Sequence, residues 1–338
     1  MLPYIFIISG LLLLIKGGDF LIDGSVAIAQ RAKLSPMVIG LTVIGFGTSM
    51  PELCVSAQAA WMGSSSIAIG NVAGSNICNI ALILGLTAVM HPIPASRDTI
   101  RRSMPFFAFT LVLIILFAFN GTIERWMGIA MLAIITAQVT LEVKHSRKSG
   151  AGERSPKQQP QPCQEHQCQM QATGTAAAAM PMWKALLTVA VSLAAMVWGS
   201  DMLVSGTTEL AMALGSVLGI DAAQMERIIA LTVVSIGTSL PELCASVIAA
   251  RKGETDMAVG NIIGSGIFNI LCVIGASSAI TPIHNAWTPF AADYFIQLSL
   301  CVLLWIFLRT KRMLQRWEGF VFLFIYAAYL AFLLYSVN

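Results

Sequence analysis

The sequence predicts an all-α polytopic membrane protein in which ten transmembrane helices form two inverted-topology repeats of five. Three observations predict this fold: charged residues are scarce, apolar residues come in long runs, and the two halves of the chain repeat each other. Of the 338 residues, 57% are apolar and 11% are charged, whereas a soluble domain carries about 25% charged residues. This composition excludes a soluble enzyme, because it cannot cover a water-facing surface.

The apolar runs between turn signals divide into ten segments, and roughly 20 residues of helix are enough to cross the hydrocarbon of a bilayer. The segments lie near 2–24, 36–60, 66–90, 104–119, 123–142, 183–205, 225–249, 256–280, 288–308 and 318–337. The N-terminal run has no basic n-region and no cleavage site, so we interpret it as a retained first helix.

A polar stretch rich in Gln, Pro and Gly separates the fifth segment from the sixth. Such a stretch buries too little apolar surface to offset the entropy lost on ordering. The chain therefore divides into a first five-helix repeat (1–143), a flexible linker (144–182) and a second five-helix repeat (183–338). The linker residues Cys163, His166 and Cys168 could bind a metal in principle, but their spacing is not diagnostic, and no cofactor is expected.

The basic residues predict the orientation of the helices. Of the 20 Lys and Arg, seventeen fall in the linker or in one set of alternate loops, only Arg125 and Arg227 fall in the other set, and Lys16 lies within the first segment. Because basic residues collect on the cytoplasmic side, the linker should be cytoplasmic. The protein is expected in the cytoplasmic (inner or plasma) membrane, with both termini on the side opposite the cytoplasm. The net charge of +3 gives no support for a nucleic-acid partner.

The two halves are related by an offset of 190 residues. Residues 39–93 align with 229–283 without a gap, and 26 of the 55 positions are identical. A weaker match pairs GGDFLIDG at 17–24 with GSDMLVSG at 199–206. Since five is an odd number, equivalent helices cross the membrane in opposite directions. Such inverted repeats are typical of secondary transporters, whose binding site lies near the midplane between the repeats.

The polar residues of the repeat recur at helical spacing, which places them on common helix faces. Thr48 and Glu52 are separated by four residues, as are Ser75 and Asn79. The second half repeats them as Thr238, Glu242, Ser265 and Asn269, and Ser49 and Ser239 precede the two Pro-Glu pairs. Carboxylate, hydroxyl and amide oxygens are ligands for hard cations such as Ca²⁺, whereas softer transition metals prefer imidazole or thiolate.

Two prolines strengthen the prediction of a cation site. Pro51 and Pro241 have no N–H, so a helix through them leaves the carbonyls of Gly47 and Gly237 unpaired. At membrane depth such a carbonyl must be satisfied by protein, water or ion. A kinked helix with bare carbonyls beside a carboxylate is therefore expected to bind a cation.

The alternative is that these polar residues only pack helices together, a common use of Ser, Thr and Asn in membranes. This alternative is weak for Glu52 and Glu242, because a carboxylate at the membrane centre costs about 2.5–3.5 kcal/mol and neither has a Lys or Arg nearby in sequence. Three other acidic residues could line an access path or be solvated near helix ends: Asp19, Asp23 and Asp201. Lys16 could extend its ammonium group to the membrane surface or pair with Asp19.

Four motifs resemble the two α-repeats of the cation/calcium exchanger (CaCA) superfamily. They are GTSMPE (47–52) and GNVAGSNICN (70–79) in the first half, and GTSLPE (237–242) and GNIIGSGIFN (260–269) in the second. The resemblance covers essentially the whole chain and is strongest to the prokaryotic sodium/calcium exchangers. It implies that the ion ligands are Thr48, Ser49, Glu52, Ser75, Asn79, Thr238, Ser239, Glu242, Ser265 and Asn269. It also implies main-chain carbonyl ligands one turn before the glutamates, near Gly45 and Ser235.

One position departs from the pattern of several relatives, which carry Asp where this chain has Asn269. With Asn79 also neutral, the site holds the two formal negative charges of Glu52 and Glu242, which neutralise one Ca²⁺. The family's exchange of three Na⁺ for one Ca²⁺ is then less secure, and K⁺ co-transport is disfavoured.

The resemblance implies a Na⁺/Ca²⁺ antiporter that works by alternating access, with Ca²⁺ and Na⁺ as substrates in a lipid bilayer and a monomer as the functional unit. A Ca²⁺/H⁺ antiporter that protonates the same two glutamates is the alternative. A passive channel is a weaker one, because midplane sites in inverted repeats favour a carrier. An enzyme is not expected. A hydrolase using Ser49 or Ser239 would need a nearby base, yet the four His lie in loops, at helix ends or in the linker.

Overall fold

Long apolar runs fold as helices in a bilayer because a helix satisfies each backbone N–H and C=O within its own segment. The computed structural model describes residues 2–63, 65–149, 180–217, 237–284, 286–288 and 290–336. Its first half contains α1 (Leu2–Ala32), α2 (Pro36–Thr48), α3 (Met50–Trp61), α4 (65–90), α5 (Thr99–Ala118) and α6 (Arg125–Ser149). Its second half contains α7 (Met182–Val217), α8 (Leu240–Arg251), α9 (Thr255–Ile280), α10 (Ala291–Lys311) and α11 (Arg316–Ser336).

Within the described residues, eight of these helices are long and apolar enough to cross a membrane. The helices α2 and α3 meet at a bend of 46° and together would make a ninth span. The chain is thus a helical polytopic membrane protein. The seventh predicted segment is described only from Gly237 onward, so Arg227 and Ser235 lie outside the described residues, as do Cys163, His166 and Cys168.

Several helices extend beyond the segments predicted from hydropathy. Helix α1 runs to Ala32 instead of 24, α7 runs to Val217 instead of 205, and α5 begins at Thr99 instead of 104. Helix α6 continues to Ser149, so the predicted start of the linker at 144 lies inside a helix. Hydropathy marks where an apolar run ends, whereas residues such as Lys and Arg continue a helix readily once it has left the hydrocarbon.

Two short antiparallel sheets join the halves. Strand β1 (Ile93–Pro94), between α4 and α5, pairs with β4 (Met313–Leu314), between α10 and α11. Strand β2 (Thr122–Ile123), between α5 and α6, pairs with β3 (Ile283–His284), between α9 and α10. The helices α5 and α10 are equivalent in the two halves, and each sheet joins the connection before one of them to the connection after the other.

The buried apolar residues form two separate clusters. The larger cluster is built mainly from α4, α5, α9, α10 and α11, and includes Phe107, Ile270 and Phe322. The smaller cluster lies where α1 and α7 meet α2 and α8, and includes Leu21 and Met196. Helices α1 and α7 pack along each other more extensively than against any other helix. The pair α1–α7 is therefore attached to the remainder of the protein through its own, smaller apolar core.

Candidate cation site

The helix breaks that the prolines predict lie two residues earlier, at Ser49 and Ser239. These serines have nearly identical backbone angles, φ −84°, ψ 5° and φ −94°, ψ 6°. Each carbonyl accepts from the N–H four residues on, at 3.1 Å in both halves. The helices α3 and α8 start here, with Glu52 and Glu242 in their first turns. The positive end of a helix dipole favours a carboxylate at that position.

Close backbone packing brings α9 against α2. A Cβ atom on Gly264 would lie 2.3 Å from the Leu41 carbonyl oxygen, and one on Gly45 would lie 2.9 Å from the Ser265 nitrogen. Only glycine permits this approach. As a result, Ser265 of the second half reaches the Gly45 carbonyl of the first half, at 3.3 Å.

The structure buries the predicted site residues and brings the two halves together around them. Glu52 and Glu242 are both 0% exposed. The Thr48 hydroxyl lies 3.3 Å from the Ser265 hydroxyl. In the first half the Ser75 hydroxyl donates to a Glu52 carboxylate oxygen at 3.3 Å. The other buried members of the predicted set are Ser49, Asn79, Ser239 and Asn269, while Thr238 is half-buried.

Most of the buried polar side-chain atoms that lack a hydrogen-bond partner belong to this set. Among the described residues eleven such atoms occur, and eight of them are on predicted site residues. They are Ser49 Oγ, Glu52 Oε2, Asn79 Oδ1 and Nδ2, Ser239 Oγ, Glu242 Oε1 and Oε2, and Asn269 Oδ1. Unpaired buried polar atoms are rare in proteins, and each requires an explanation such as an ion. Seven of the eight are oxygens, the ligand atoms that Ca²⁺ takes.

The predicted carbonyl ligands differ in their surroundings. The Gly237 carbonyl accepts a hydrogen bond from the Ser200 hydroxyl of α7. The Gly45 carbonyl accepts from the Ser265 hydroxyl and from the Ser49 N–H, at 3.3 Å each, and the Ser49 N–H also points to the Gly47 carbonyl. The freed carbonyl of the second half is thus satisfied by a side chain of the long helix α7.

Sequence reasoning missed a pair of asparagines that support the glutamates. The Asn71 amide donates to the Glu52 backbone carbonyl at 3.3 Å and to the Ser56 hydroxyl at 3.0 Å. Asn261 makes the equivalent bonds to Glu242 and Ser246, at 3.3 and 2.9 Å. A signal existed, since Asn71 precedes Ser75 by four residues on the same helix face.

A second missed feature is a chain of three buried amides that joins Gln297 and Asn269 of the second half through Asn76 of the first. Gln297 donates through Nε2 to the Asp293 carbonyl at 3.2 Å, and its Oε1 accepts from Asn76 Nδ2 at 3.2 Å. Asn76 Oδ1 in turn accepts from Asn269 Nδ2 at 3.0 Å. Because a backbone carbonyl can only accept, it determines the direction of every bond in the chain. Asn269 is thereby left with its carbonyl oxygen, and not its NH₂ group, free for a ligand.

The acidic residues of α1 have a partner that the sequence did not predict. Lys252, just after α8, donates to Asp23 Oδ1 and to the Asp19 carbonyl at 2.8 Å each, and lies 3.5 Å from Asp19 Oδ1. Pairing with Lys16 was one of two possibilities, and in the described residues Asp19 pairs with Lys252 instead. The partner lies far away in sequence, so helical spacing could not reveal it.

Comparison with known proteins shows similarity over nearly the whole chain. The family model "Sodium/calcium exchanger protein" matches residues 2–141 and 184–335. The putative antiporter CaxA of Alkalimonas amylolytica is 36% identical over 335 residues, 98% of each chain. The sodium/calcium exchanger MaX1 of Methanosarcina acetivorans is 30% identical over 358 residues, also 98% of each chain.

A solved structure has the same fold. The sodium-calcium exchanger NCX_Mj, soaked with zero Na⁺ and Ca²⁺, superposes with a TM-score of 0.77 at 28% identity, over 98% of this chain and 99% of that one. The same exchanger soaked with 2.5 mM Na⁺ and 0.1 mM Ca²⁺ gives a TM-score of 0.76.

Proposed function

This chain belongs to the sodium/calcium exchanger family, and we propose that it exchanges Ca²⁺ for Na⁺ across the cytoplasmic membrane by alternating access. The observation that carries the proposal is the cluster of unpartnered buried atoms around Glu52 and Glu242. Two carboxylates held in a dry site repel each other unless cations neutralise them. A dehydrated Ca²⁺, or Na⁺ ions in its place, would supply that charge and satisfy the free oxygens.

The proposed ligands come from both halves. Glu52 and Glu242 supply the charge, and neutral oxygens complete the coordination: Thr48, Ser49, Ser75, Asn79, Thr238, Ser239, Ser265, Asn269 and the carbonyls near Gly45 and Ser235. Asn76 and Gln297 act on Asn269, because the bonds they make hold its carbonyl oxygen toward the site. All of the proposed ligand atoms for Ca²⁺ are therefore oxygens.

The paired strands support an arrangement of ten helices in inverted repeats. Hydrogen-bonded strands must lie on the same side of a membrane, so the chain crosses an even number of times between β1 and β4. The helices α5, α6, α7, α9 and α10 supply five crossings. We propose that the glutamate helix α8 belongs to a sixth crossing, which makes the number even. With the basic residues on the cytoplasmic side, both termini then face outward and residues 144–182 face the cytoplasm.

The separate core of α1 and α7 suggests which elements move. We propose that this pair slides against the remainder while the helices that carry the glutamates stay in place. The Ser200 hydroxyl of α7 contacts the Gly237 carbonyl beside the site, so a shift of α7 would be felt by the ion ligands. In a monomer this motion would open the site to one side at a time.

The proposal is tested by ⁴⁵Ca²⁺ uptake into proteoliposomes that carry an imposed Na⁺ gradient. Glu52→Gln and Glu242→Gln should each abolish exchange, because the pair then holds one charge against a divalent ion. Glu124→Gln is the matched control, since Glu124 is exposed and lies outside the site. Normal uptake by either site variant would refute the ligand assignment.

The same vesicles distinguish the coupling ion. Uptake driven by a Na⁺ gradient at equal pH on both sides, and absent with a pH gradient alone, is the expected result. The reverse pattern would establish the Ca²⁺/H⁺ alternative, in which the two glutamates release protons when Ca²⁺ binds.

A further inference from the structure

Four arginines converge on a concavity between the ends of α5 and α10. The cavity has a volume of about 330 Å³. It is lined by Arg97, Arg101, Arg309 and Arg312 together with Ile100, Pro105 and Trp305. No acidic residue lines it, and in the described part of the chain none of the four arginines forms an ion pair.

The walls of this arginine pocket are held by specific contacts. The Trp305 indole N–H donates to the Ile100 carbonyl at 3.0 Å, which ties α10 to the start of α5. The Arg309 guanidinium lies 5.9 Å from the centre of the Trp305 ring. The Arg312 carbonyl accepts from the Ala95 N–H at 2.8 Å, beside the sheet of β1 and β4. The positions of the pocket walls are therefore set by contacts between α5, α10 and the sheet of β1 and β4.

Arg312 occupies a backbone position that favours glycine. Its φ is +53°. Arg312 directly precedes β4 as Gly121 precedes β2, so the strand registers make Gly121, whose φ is +81°, its counterpart in the first half at an offset of 191. A side chain in this left-handed conformation costs about 1 kcal/mol. The second half nevertheless has arginine where the first half has glycine.

The internal repeat provides a comparison for three positions of the pocket. The buried faces of α5 and α10 match at the offset of 190, for example Phe107 with Gln297 and Ile114 with Leu304. At the same offset the opposite end of the molecule has aromatic residues: Trp287 for Arg97, Phe119 for Arg309 and Phe295 for Pro105.

These aromatic rings pack against one another. The ring of Trp287 lies 5.2 Å from that of Phe119 and 6.1 Å from that of Phe295. The fold therefore does not require arginine at these positions. Cytoplasmic orientation requires basic residues, but it does not require them to converge, and converging guanidiniums repel one another unless an anion joins them.

The helices that form the pocket also carry exposed apolar side chains toward the membrane interior. Phe109 follows Pro105 by one helical turn and is 48% exposed, and Val302 precedes Arg309 by two turns and is 42% exposed. Phosphate groups are recognised by arginine through paired charge-assisted hydrogen bonds. We propose that the arginine pocket binds the phosphate headgroup of an anionic phospholipid, whose acyl chains lie along α5 and α10. This proposal depends on the membrane placement of the chain and not on the ion-exchange reaction.

Native mass spectrometry of the delipidated full-length protein with added phosphatidylglycerol or phosphatidylcholine tests the proposal. Arg97→Gln with Arg309→Gln removes two of the four guanidiniums. Arg147→Gln with Arg316→Gln is the matched control, because it removes the same charge at exposed positions outside the pocket. The pocket variant should bind phosphatidylglycerol about 30-fold more weakly than the wild type. The control should bind like the wild type, and phosphatidylcholine should bind weakly to all three.

A second variant separates loss of the pocket from misfolding. Arg97→Trp with Arg309→Phe installs the aromatic residues of the opposite end, so it should fold, close the pocket and lose the same lipid. Thermal unfolding without lipid checks the fold, and Na⁺-gradient Ca²⁺ uptake reports the exchange reaction separately. Equal lipid binding by pocket and control variants would overturn the proposal. Protection from thermal unfolding by inorganic phosphate as large as that by phosphatidylglycerol would overturn the assignment to a lipid.

Discussion

The side-chain amide of Asn261 donates to the backbone carbonyl of Glu242 at 3.3 Å, and its carbonyl oxygen lies 3.2 Å from the Thr48 hydroxyl. One side chain of α9 thus joins the glutamate helix of the second half to the helix before the break in the first. The counterpart in the first half, Asn71, bonds to Glu52 and Ser56. The two asparagines share a role at the glutamates but differ in how many helices they connect.

We expect Asn261→Leu to destabilise the protein more than Asn71→Leu does. Asn261 is 1% exposed, and its loss removes one hydrogen bond each from the Glu242 carbonyl, the Ser246 hydroxyl and the Thr48 hydroxyl. Each such hydrogen bond contributes about 0.5–1.5 kcal/mol. Asn71 is less buried. Thermal unfolding in detergent measures the difference, and equal midpoints for the two variants would contradict the cross-helix role of Asn261.

Adding a third carboxylate should change the ions that the site accepts. We expect Asn269→Asp and Asn79→Asp each to bind Ca²⁺ more tightly and to alter the number of Na⁺ exchanged per Ca²⁺, because a third negative charge balances a third Na⁺. The two variants differ in stability: a carboxylate at position 269 would face Asn76 Oδ1 without a proton to donate, whereas Asn79 has no side-chain hydrogen bond to lose. Flux ratios and the voltage dependence of uptake measure the stoichiometry. Unchanged stoichiometry in both variants would show that the formal charge of the site does not set it.

Orientation of Asn269 can be separated from packing by using the repeat itself. The repeat counterparts of Gln297 and Asn76 are Phe107 of the first half and Gly266 of the second, and a Cβ on Gly266 would lie 2.6 Å from the Phe107 ring. The double variant Asn76→Gly with Gln297→Phe therefore restores a packed pair but removes the amide chain. We expect near-normal stability and a KM for Ca²⁺ raised about fivefold, the effect of one lost hydrogen bond.

The single variant Asn76→Gly is the control for that experiment, since it leaves a cavity beside Gln297 and should lower stability as well. If the double variant keeps the wild-type KM for Ca²⁺, the amide chain contributes packing only and does not orient Asn269.

Apolar runs, prolines and an ungapped repeat are local signals, so the sequence predicted most of the described helices and indicated that Glu52 and Glu242 lie at equivalent, buried positions. Asn71 and Asn261 were also within reach, since they share a helix face with Ser75 and Ser265. Gln297 was not, because its role arises from contact with Asn76 on a helix far away in sequence, and its repeat counterpart is the apolar Phe107. The repeat therefore reveals features present in both halves and hides those present in only one.

The contact of α1 with the end of α8 is also present in only one half, and it leads to a prediction about the rate of transport. Lys252 contacts Asp19 and Asp23 of α1, whereas its repeat counterpart is Met62. If α1 slides during transport, these bonds break once in each cycle. Exposed ion pairs contribute about 0.2–1 kcal/mol, so Lys252→Met should raise the maximal rate of Ca²⁺ uptake by about 1.5- to 5-fold and leave KM unchanged. Asp23→Asn should act in the same direction.

Arg251→Met is the matched control, because it removes a neighbouring exposed charge that has no ion pair within the described chain. Initial rates of ⁴⁵Ca²⁺ uptake at saturating Ca²⁺, normalised to the amount of reconstituted protein, measure the effect. An equal change of the uptake rate in Lys252→Met and Arg251→Met would show that the loss of surface charge, and not the loss of the ion pairs, causes the effect. A lower rate in Lys252→Met with normal unfolding temperature would show that the contact assists the movement of α1 and does not restrain it.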